Sequence, residues 1–221
     1  MLTKVFPQFP PELITELSGA SSIKAYQPGE FLIRKGDILL KAFIVLDGIV
    51  KLCQEGADGE QFVITYLQPG NSFGIALCEN GPVENRIALV SLIAMEPVTM
   101  LTISLPDKDR LAKKYDEWYS YILQSSVMYY KDYVELVDSI AFQNLDDRII
   151  FFLQRLSQAQ ESPLLQISHQ EIAHGLNSSR EVVSRLLKKL EIEKKISLGH
   201  NSIRLLRSSE LKADLPPTKT R

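Results

Sequence analysis

Cysteine is scarce in this 221-residue chain: Cys53 and Cys78 are too few for a disulfide framework or a four-thiolate metal site. As isolated small hydrophobes both read as core residues. Histidine is absent from the first 142 residues, since His169, His174 and His200 all fall later. That leaves the first part no imidazole for haem or a metal, and the whole chain too few thiolates for an iron-sulfur cluster, so no metal and no such cofactor is expected. No apolar run approaches the roughly 18 residues of a membrane span. The start, Met1 to Pro11, has three prolines and lacks the basic-then-apolar order of a secretory signal. A cytoplasmic chain with no membrane partner is expected. Nor is there a nucleophile beside a base or a glycine-rich phosphate loop, so the chain does not read as an enzyme.

What is present suffices for a packed core, because 45% of residues are apolar and 24% charged, with ordinary glycine and proline usage. The length gives a prior of two modest domains. The net charge of -2 conceals a division: residues 1–142 carry 12 Lys or Arg against 18 Asp or Glu, and residues 143–221 carry 13 against 9. The basic end is the candidate for a polyanionic partner.

From Ser18 to Ile103 short apolar or alternating runs are broken by turn signals at Pro28-Gly29, Gly36-Asp37, Asp47-Gly48, Asp58-Gly59 and Pro69-Gly70. This spacing predicts an antiparallel β-roll over 1–106. Glycine and proline then vanish between Pro106 and Pro163, and a helical period takes over. One seam runs through Tyr119, Ile122, Ser126, Tyr129, Tyr133, Leu136 and Ile140 at steps of three and four. A second runs beside it through Leu123, Val127, Tyr130, Val134, Val137 and Ala141. Two adjacent stripes predict a helix, within 107–142, that is covered on one side by its own domain and on the other by a second copy. The seam of Tyr119, Ile122, Ser126, Tyr129, Tyr133 and Leu136 is the candidate dimer contact. Asn144 caps the following helix, which sets a boundary near 143. The polar residues 209–221 read as a frayed tail.

The stretch from Ile167 to Leu206 is the most informative. Ser168 with Glu171, and Ser178 with Glu181, have capping-box spacing, so two helix starts stand ten residues apart. Leu176-Asn177 makes the break, because asparagine tolerates a left-handed turn. Val183, Leu186, Leu187 and Leu190 form the buried stripe of the second helix. Its other face carries Arg180, Glu181, Ser184 and Arg185, groups able to read guanine and cytosine edges. Ser168, His169, Gln170, Ser179 and Lys188, with His200 and Asn201 at the tip of a two-stranded wing, are candidate phosphate contacts. The expected fold class is α+β: an N-terminal antiparallel β-roll, a long dimerisation helix, and a winged helix-turn-helix over 143–208 for double-stranded DNA.

The strings Ile167-Ser168-His169-Gln170-Glu171-Ile172-Ala173 and Ser178-Ser179-Arg180-Glu181-Val182-Val183-Ser184-Arg185-Leu186-Leu187 resemble the helix-turn-helix signature of the Crp/Fnr family of bacterial transcription regulators. The order of β-roll, long helix and winged helix is similar to that family over nearly the whole chain. The resemblance implies a homodimer on a roughly palindromic promoter site, a cyclic-nucleotide-binding-like sensor domain, and contact with RNA polymerase if the protein activates. It also implies that Glu181 and Arg185 read base edges. Arg180 resembles the cyclic-AMP-binding branch, whereas Ser184 before Arg185 resembles the oxygen-sensing branch.

Members that bind cyclic AMP pair Gly-Glu for the ribose with Arg-Ser or Arg-Thr for the phosphate. This chain has Gly74-Ile75 and Arg86-Ile87 at the candidate effector pocket, so cyclic AMP is not the expected effector, and the sequence names no other. A different reading remains at this stage: a nucleotide-binding regulatory module whose C-terminal domain docks protein. The missing Gly-Glu pair weighs against it.

Overall fold

The computed structural model describes residues 1–56, 60–77 and 80–206. The Asp58-Gly59 turn, Cys78 and the tail expected to fray lie outside the described residues. Two compact units divide the chain, residues 1–137 and 138–221.

The first unit opens with α1 (Leu2–Val5) and α2 (Pro11–Ala20). Proline at the first helical position costs no hydrogen bond, because that amide has no intrahelical acceptor. Leu13 and Leu17, one turn apart, are fully buried on one face of α2. The β pattern expected from Ser18 therefore begins later, since Ser18-Gly19-Ala20 closes this helix.

Eight strands follow: β1 (Ser21–Tyr26), β2 (Phe31–Ile33), β3 (Lys41–Asp47), β4 (Val50–Glu55), β5 (Gln61–Leu67), β6 (Ser72–Phe73), β7 (Ser91–Ala94) and β8 (Val98–Ser104). They form two antiparallel sheets in the orders β1-β8-β3-β6 and β2-β7-β4-β5, the β-roll that the turn spacing predicts. Gly48 shows why a turn glycine is needed: its φ is 81°, and a Cβ there would collide with the Pro97 carbonyl.

Strand alternation sorts two cores. Val45 on β3 and Met100 on β8 join Val50, Leu52, Ile64 and Leu92 in one cluster. Their neighbours Ile44, Leu101 and Ile103 point the other way, into a second cluster with Leu13, Leu17, Leu111 and Trp118. Both strands are buried on two faces, which is why they read as continuous apolar runs rather than as strict alternation. Cys53 lies in the interior, where burial pushes its thiol up to about 11.

Ser104 caps α3 (Leu105–Lys114), its hydroxyl accepting from the Asp107 amide at 3.2 Å. The long helix α4 (Asp116–Phe142) comes next. Its inner side buries Trp118, Tyr121 and Ser125, while Tyr129 and Leu136 pack onto the core that Val45 and Met100 share. The outer side leaves Leu123, Val127, Tyr130, Val134 and Val137 exposed, Tyr130 at 71% and Val137 at 61%. This corrects the seam expected to meet a partner: Ile122, Tyr129 and Leu136 lie against the chain's own domain, and only Tyr119, Tyr133 and Ile140 of that line reach the surface. Ile122, Tyr129 and Leu136 stand seven residues apart on the packed side, and Tyr119, Tyr133 and Ile140 stand at multiples of seven on the open side, so the seam straddles the edge of the buried face along its length.

The second unit contains α5 (Leu145–Ala159), β9 (Leu164–Gln166), α6 (His169–Gly175), α7 (Arg180–Ile192), β10 (Ile196–Gly199) and β11 (Ser202–Leu205). The expected two-stranded wing is a three-stranded sheet in the order β10-β11-β9, because buried Leu165 pairs with Ile203. No helix among the described residues is long and apolar enough to cross a membrane.

On the surface of the first unit, Glu16 of α2 gathers three donors from the end of α3: Lys114, the Tyr115 hydroxyl at 2.8 Å and Arg110 at 3.1 Å. The Lys114 bond is the largest of the effects that hold its carboxyl down, from 4.5 to about 2. A depressed carboxylate stabilises the fold above its unfolded value and loses that contribution as pH falls through the folded value. The stability difference between wild type and Glu16→Gln in urea titrations should thus be flat above about pH 5 and shrink between 4.5 and about 2. A difference independent of pH would mean that the carboxylate is not held by these donors.

Candidate functional site

Two places concentrate the chemistry expected of the chain, one in each unit. In the second unit the start of α5 is fixed by Asn144, whose side chain accepts from the Asp147 amide at 3.0 Å. Ile149, Leu153 and Leu156 are buried along this helix and give the two shorter helices a surface to pack on.

α6 starts at a complete capping box: the Ser168 hydroxyl accepts from the Glu171 amide at 3.2 Å, and the Glu171 carboxylate accepts from the Ser168 amide at 2.8 Å. The helix ends at Gly175, and Asn177 takes the left-handed conformation with φ 51°. The Ser178 amide donates back to the Ala173 carbonyl at 2.9 Å. Ser178 therefore belongs to the turn, and Ser179 is the cap of α7, accepting from the Val182 amide at 3.3 Å. The expected box of Ser178 with Glu181 is corrected accordingly: Glu181 sits one residue too near the cap to complete one.

Val183, Leu187 and Leu190 bury the inner face of α7, with Leu186 only partly covered. Arg180, Glu181, Arg185 and Lys188 are exposed on the other side. No hydrogen bond or ion pair among the described residues engages Arg180, Arg185 or Lys188. Lys189, by contrast, is taken up by Asp146 and lies 3.9 Å from Glu193. Ser184 is partly buried, and its hydroxyl shares a 2.8 Å hydrogen bond with Nδ1 of His169. Burial first, then the positive charges of Arg180 and Lys188, lower the pKa of His169, which keeps its ring neutral at pH 7.

The wing turns at His200-Asn201, where Asn201 has φ 52°. Its position is fixed to α7 by the Glu191 carboxylate, which accepts from the Leu198 amide at 2.8 Å. One depression of about 460 Å³ is lined together by Ser168, His169 and Gln170, by Arg180, and by His200 and Asn201. The structure thus brings most of the candidate phosphate contacts to one concavity, with Arg180 on its wall rather than on a separate reading face. Ser179 and Lys188 lie outside it. Glu181, Ser184, Arg185 and Lys188 share the adjoining trough.

In the first unit a cavity of about 370 Å³ opens between the β-roll and α4. Gly74, Ile75 and Ile87, three of the candidate effector residues, line it. Arg86 does not line it: it ends the short 3₁₀ turn Val83–Arg86 and donates to the Gly81 carbonyl at 2.9 Å. Its place in the candidate pocket is corrected on that ground; one guanidinium nitrogen is taken by the turn, while Nε is buried without a hydrogen-bond partner among the described residues. Ser126, Tyr129 and Tyr133 close the cavity from α4. They were legible only as a seam. A serine between tyrosines, with hydroxyls on one helix face, is the signal that this seam lines a chamber.

Comparison with known proteins decides the family. Residues 23–115 match the model of the cyclic nucleotide-binding domain, and residues 147–214 match that of the Crp-like helix-turn-helix domain. The chain belongs to the Crp/Fnr family of transcription regulators. This Crp/Fnr regulator is 23% identical over 188 residues to a global nitrogen regulator of Nostoc sp., an alignment spanning 82% of this chain and 83% of the relative. It is 26% identical over 181 residues to a cyclic AMP receptor protein of Thermus thermophilus, spanning 81% and 82%. In three dimensions it is similar to the c-di-GMP-responsive global regulator CLP of Xanthomonas campestris, with a TM-score of 0.76 at 22% identity, covering 90% of this chain and 100% of that one. As a Crp/Fnr regulator it is a DNA-binding transcription factor, of a family that is not enzymatic.

The cap correction has a measurable consequence. Ser179→Ala should destabilise the protein by about 1 kcal/mol, whereas Ser178→Ala should change stability by less than about 0.5 kcal/mol. Thermal or urea unfolding of the two variants ranks them, and the reverse order would restore Ser178 as the cap.

Proposed function

We propose that this protein is a homodimeric, sequence-specific regulator that binds a roughly palindromic promoter site in the cytoplasm. In this reading residues 1–106 form a sensor, residues 107–142 the dimerisation helix and hinge, and residues 143–208 the DNA-binding domain. α7 enters the major groove, where Arg185 donates to a guanine and Glu181 accepts from a cytosine amino group. Ser184 and Arg180 flank them. Lys188, Ser179 and the concavity of Ser168, His169, Gln170, His200 and Asn201 hold backbone phosphates. The observation that carries the reading is the state of Arg180, Arg185 and Lys188: exposed, on one side of a rigidly capped helix, and without partners among the described residues. RNA polymerase is the further partner if bound promoters are activated. The sensor is not tuned to cyclic AMP, because Ile75 stands where a ribose carboxylate is needed and Ile87 where a phosphate-binding hydroxyl is needed.

The outer stripe of α4 supports the dimer, since a run of apolar side chains from Leu123 to Val137 is costly to leave in water. Sedimentation should therefore report about 50 kDa, twice the 25.0 kDa chain. Tyr130→Glu with Val134→Glu should reduce this to the monomer mass without unfolding the chain, because both positions are exposed. A wild-type monomer at micromolar concentration would overturn the dimer.

Selection of bound sequences from random duplexes tests the DNA reading and supplies the preferred half-site. Arg185→Ala should cost roughly 1 to 3 kcal/mol at that half-site and flatten preference at one base pair. Lys188→Ala should instead weaken all sequences alike and lower the salt slope by about one unit. Unchanged affinity and preference in folded Arg185→Ala would show that α7 is not the reader.

A further inference from the structure

The cavity between the β-roll and α4 has walls whose chemistry restricts what can fill it. Leu39, Leu52, Phe73, Ile75, Leu77 and Val90 supply most of its surface. No lysine, arginine, histidine, aspartate or glutamate lines it among the described residues. Two cations adjoin its lining residues. Lys108, itself buried, is bonded to the Leu77 carbonyl and lies 2.7 Å from Asp109. Arg86, between Asn85 and Ile87, donates to the Gly81 carbonyl while its Nε is buried without a partner among the described residues, but it does not line the cavity. An anion brought into this chamber would lose its water and meet no charged side chain on the lining itself, which is unfavourable.

Its polar side chains are Asn85, Ser126, Tyr129 and Tyr133, and two of them are committed. The Ser126 hydroxyl donates to the Ile122 carbonyl at 3.0 Å, and the Tyr129 hydroxyl donates to the Ser72 carbonyl. Tyr133 has no hydrogen bond among the described residues, and burial raises its pKa, so it offers one neutral phenol at the edge of the chamber. The mouth is apolar as well: Ile87 and Leu89 line it while 41% and 71% exposed. Large apolar side chains left in water around an apolar hollow mark a place where a ligand is received. The volume, about 370 Å³, lies at the small end of the roughly 300–1,000 Å³ of ligand sites.

We propose that this chamber binds a small, uncharged, largely apolar molecule, held by apolar contact and by a few hydrogen bonds, to Tyr133 and Asn85. The proposal rests on the reading of the β-roll as a sensor and names the class of its effector. A charged nucleotide is the wrong class for these walls, whatever its size.

A matched pair of fluorescent probes tests the charge rule: N-phenyl-1-naphthylamine, which is neutral, and 1-anilinonaphthalene-8-sulfonate, the same skeleton with an anionic group. Titrated into the full-length protein without DNA, the neutral probe should bind saturably at one site per chain. The sulfonate should bind at least tenfold more weakly, and cyclic AMP at micromolar concentration should produce no saturable shift in melting temperature. Ser126→Trp fills the chamber from α4 and should weaken the neutral probe at least tenfold. Should that variant fail to fold, Ile87→Lys decides, because it places a cation on an exposed rim and should reverse the preference toward the sulfonate. Equal or tighter sulfonate binding by the wild type, neutral-probe binding that survives Ser126→Trp, or a preference untouched by Ile87→Lys would each overturn the proposal. Anisotropy with a labelled duplex on the same preparations separates the two readings. Lost probe binding with intact DNA affinity removes only the effector class, whereas lost DNA affinity with intact probe binding removes only the regulator.

Discussion

Helix α4 has more apolar surface than one neighbour can cover, and that constraint organises the first unit. One side is committed: Trp118 and Tyr121 join the aromatic cluster with Phe6 and Phe9, and Tyr129 and Leu136 close the β-roll. The same side roofs the chamber through Ser126, Tyr129 and Tyr133. The outer side is left to a second copy in the proposed dimer. Because a helix is stiff across its width, whatever fills the chamber and whatever covers the outer stripe press on the same rod from opposite sides. Tyr133 stands between them, lining the chamber while 43% exposed.

The second unit concentrates unneutralised positive charge by committing some lysines and sparing others. Lys189 is tied to Asp146 and Lys195 to Glu193, whereas Arg180, Arg185 and Lys188 keep their charges unpaired among the described residues. Burial first, and then the charges of Arg180 and Lys188, lower the pKa of the neighbouring His169. Exposed ion pairs add little stability on their own. Their effect here is to neutralise Lys189 and Lys195 locally, while Arg180, Arg185 and Lys188 keep their charge.

Much of this was legible from residue order. Ser168 with Glu171, and Asn177 after Leu176, announce two short helices because caps and left-handed turns are local chemistry that tertiary structure seldom overrides. The start of β1 is less legible: Ser21–Tyr26 is an edge strand whose side chains are mostly exposed, so little burial pattern separates it from the end of α2. β9 was missed because three residues cannot display a period. The choice between Ser178 and Ser179 as cap turned on one backbone bond to Ala173, which no spacing rule contains. The two stripes of α4 were visible as stripes, but which of them faced inward depended on the β-roll. Likewise Arg86 is visible in the sequence as the arginine before Ile87, while the direction of its side chain follows from the Gly81 carbonyl that it meets. Long-range packing and single backbone bonds are what the sequence left unresolved.

The bond from Glu191 to the Leu198 amide joins the far end of α7 to the first strand of the wing. β11 is held in turn by β9, so the wing carries neighbours on both sides of its central strand. In the proposed reading, a helix that reads bases and a wing that holds phosphates, fixed to one another before DNA arrives, would forfeit little conformational entropy on binding, and that preorganisation would be available as affinity. It would also make the domain an unforgiving gauge of groove shape. A duplex whose phosphates lie out of step with its base edges must itself be deformed, and the cost of that deformation becomes part of the sequence preference.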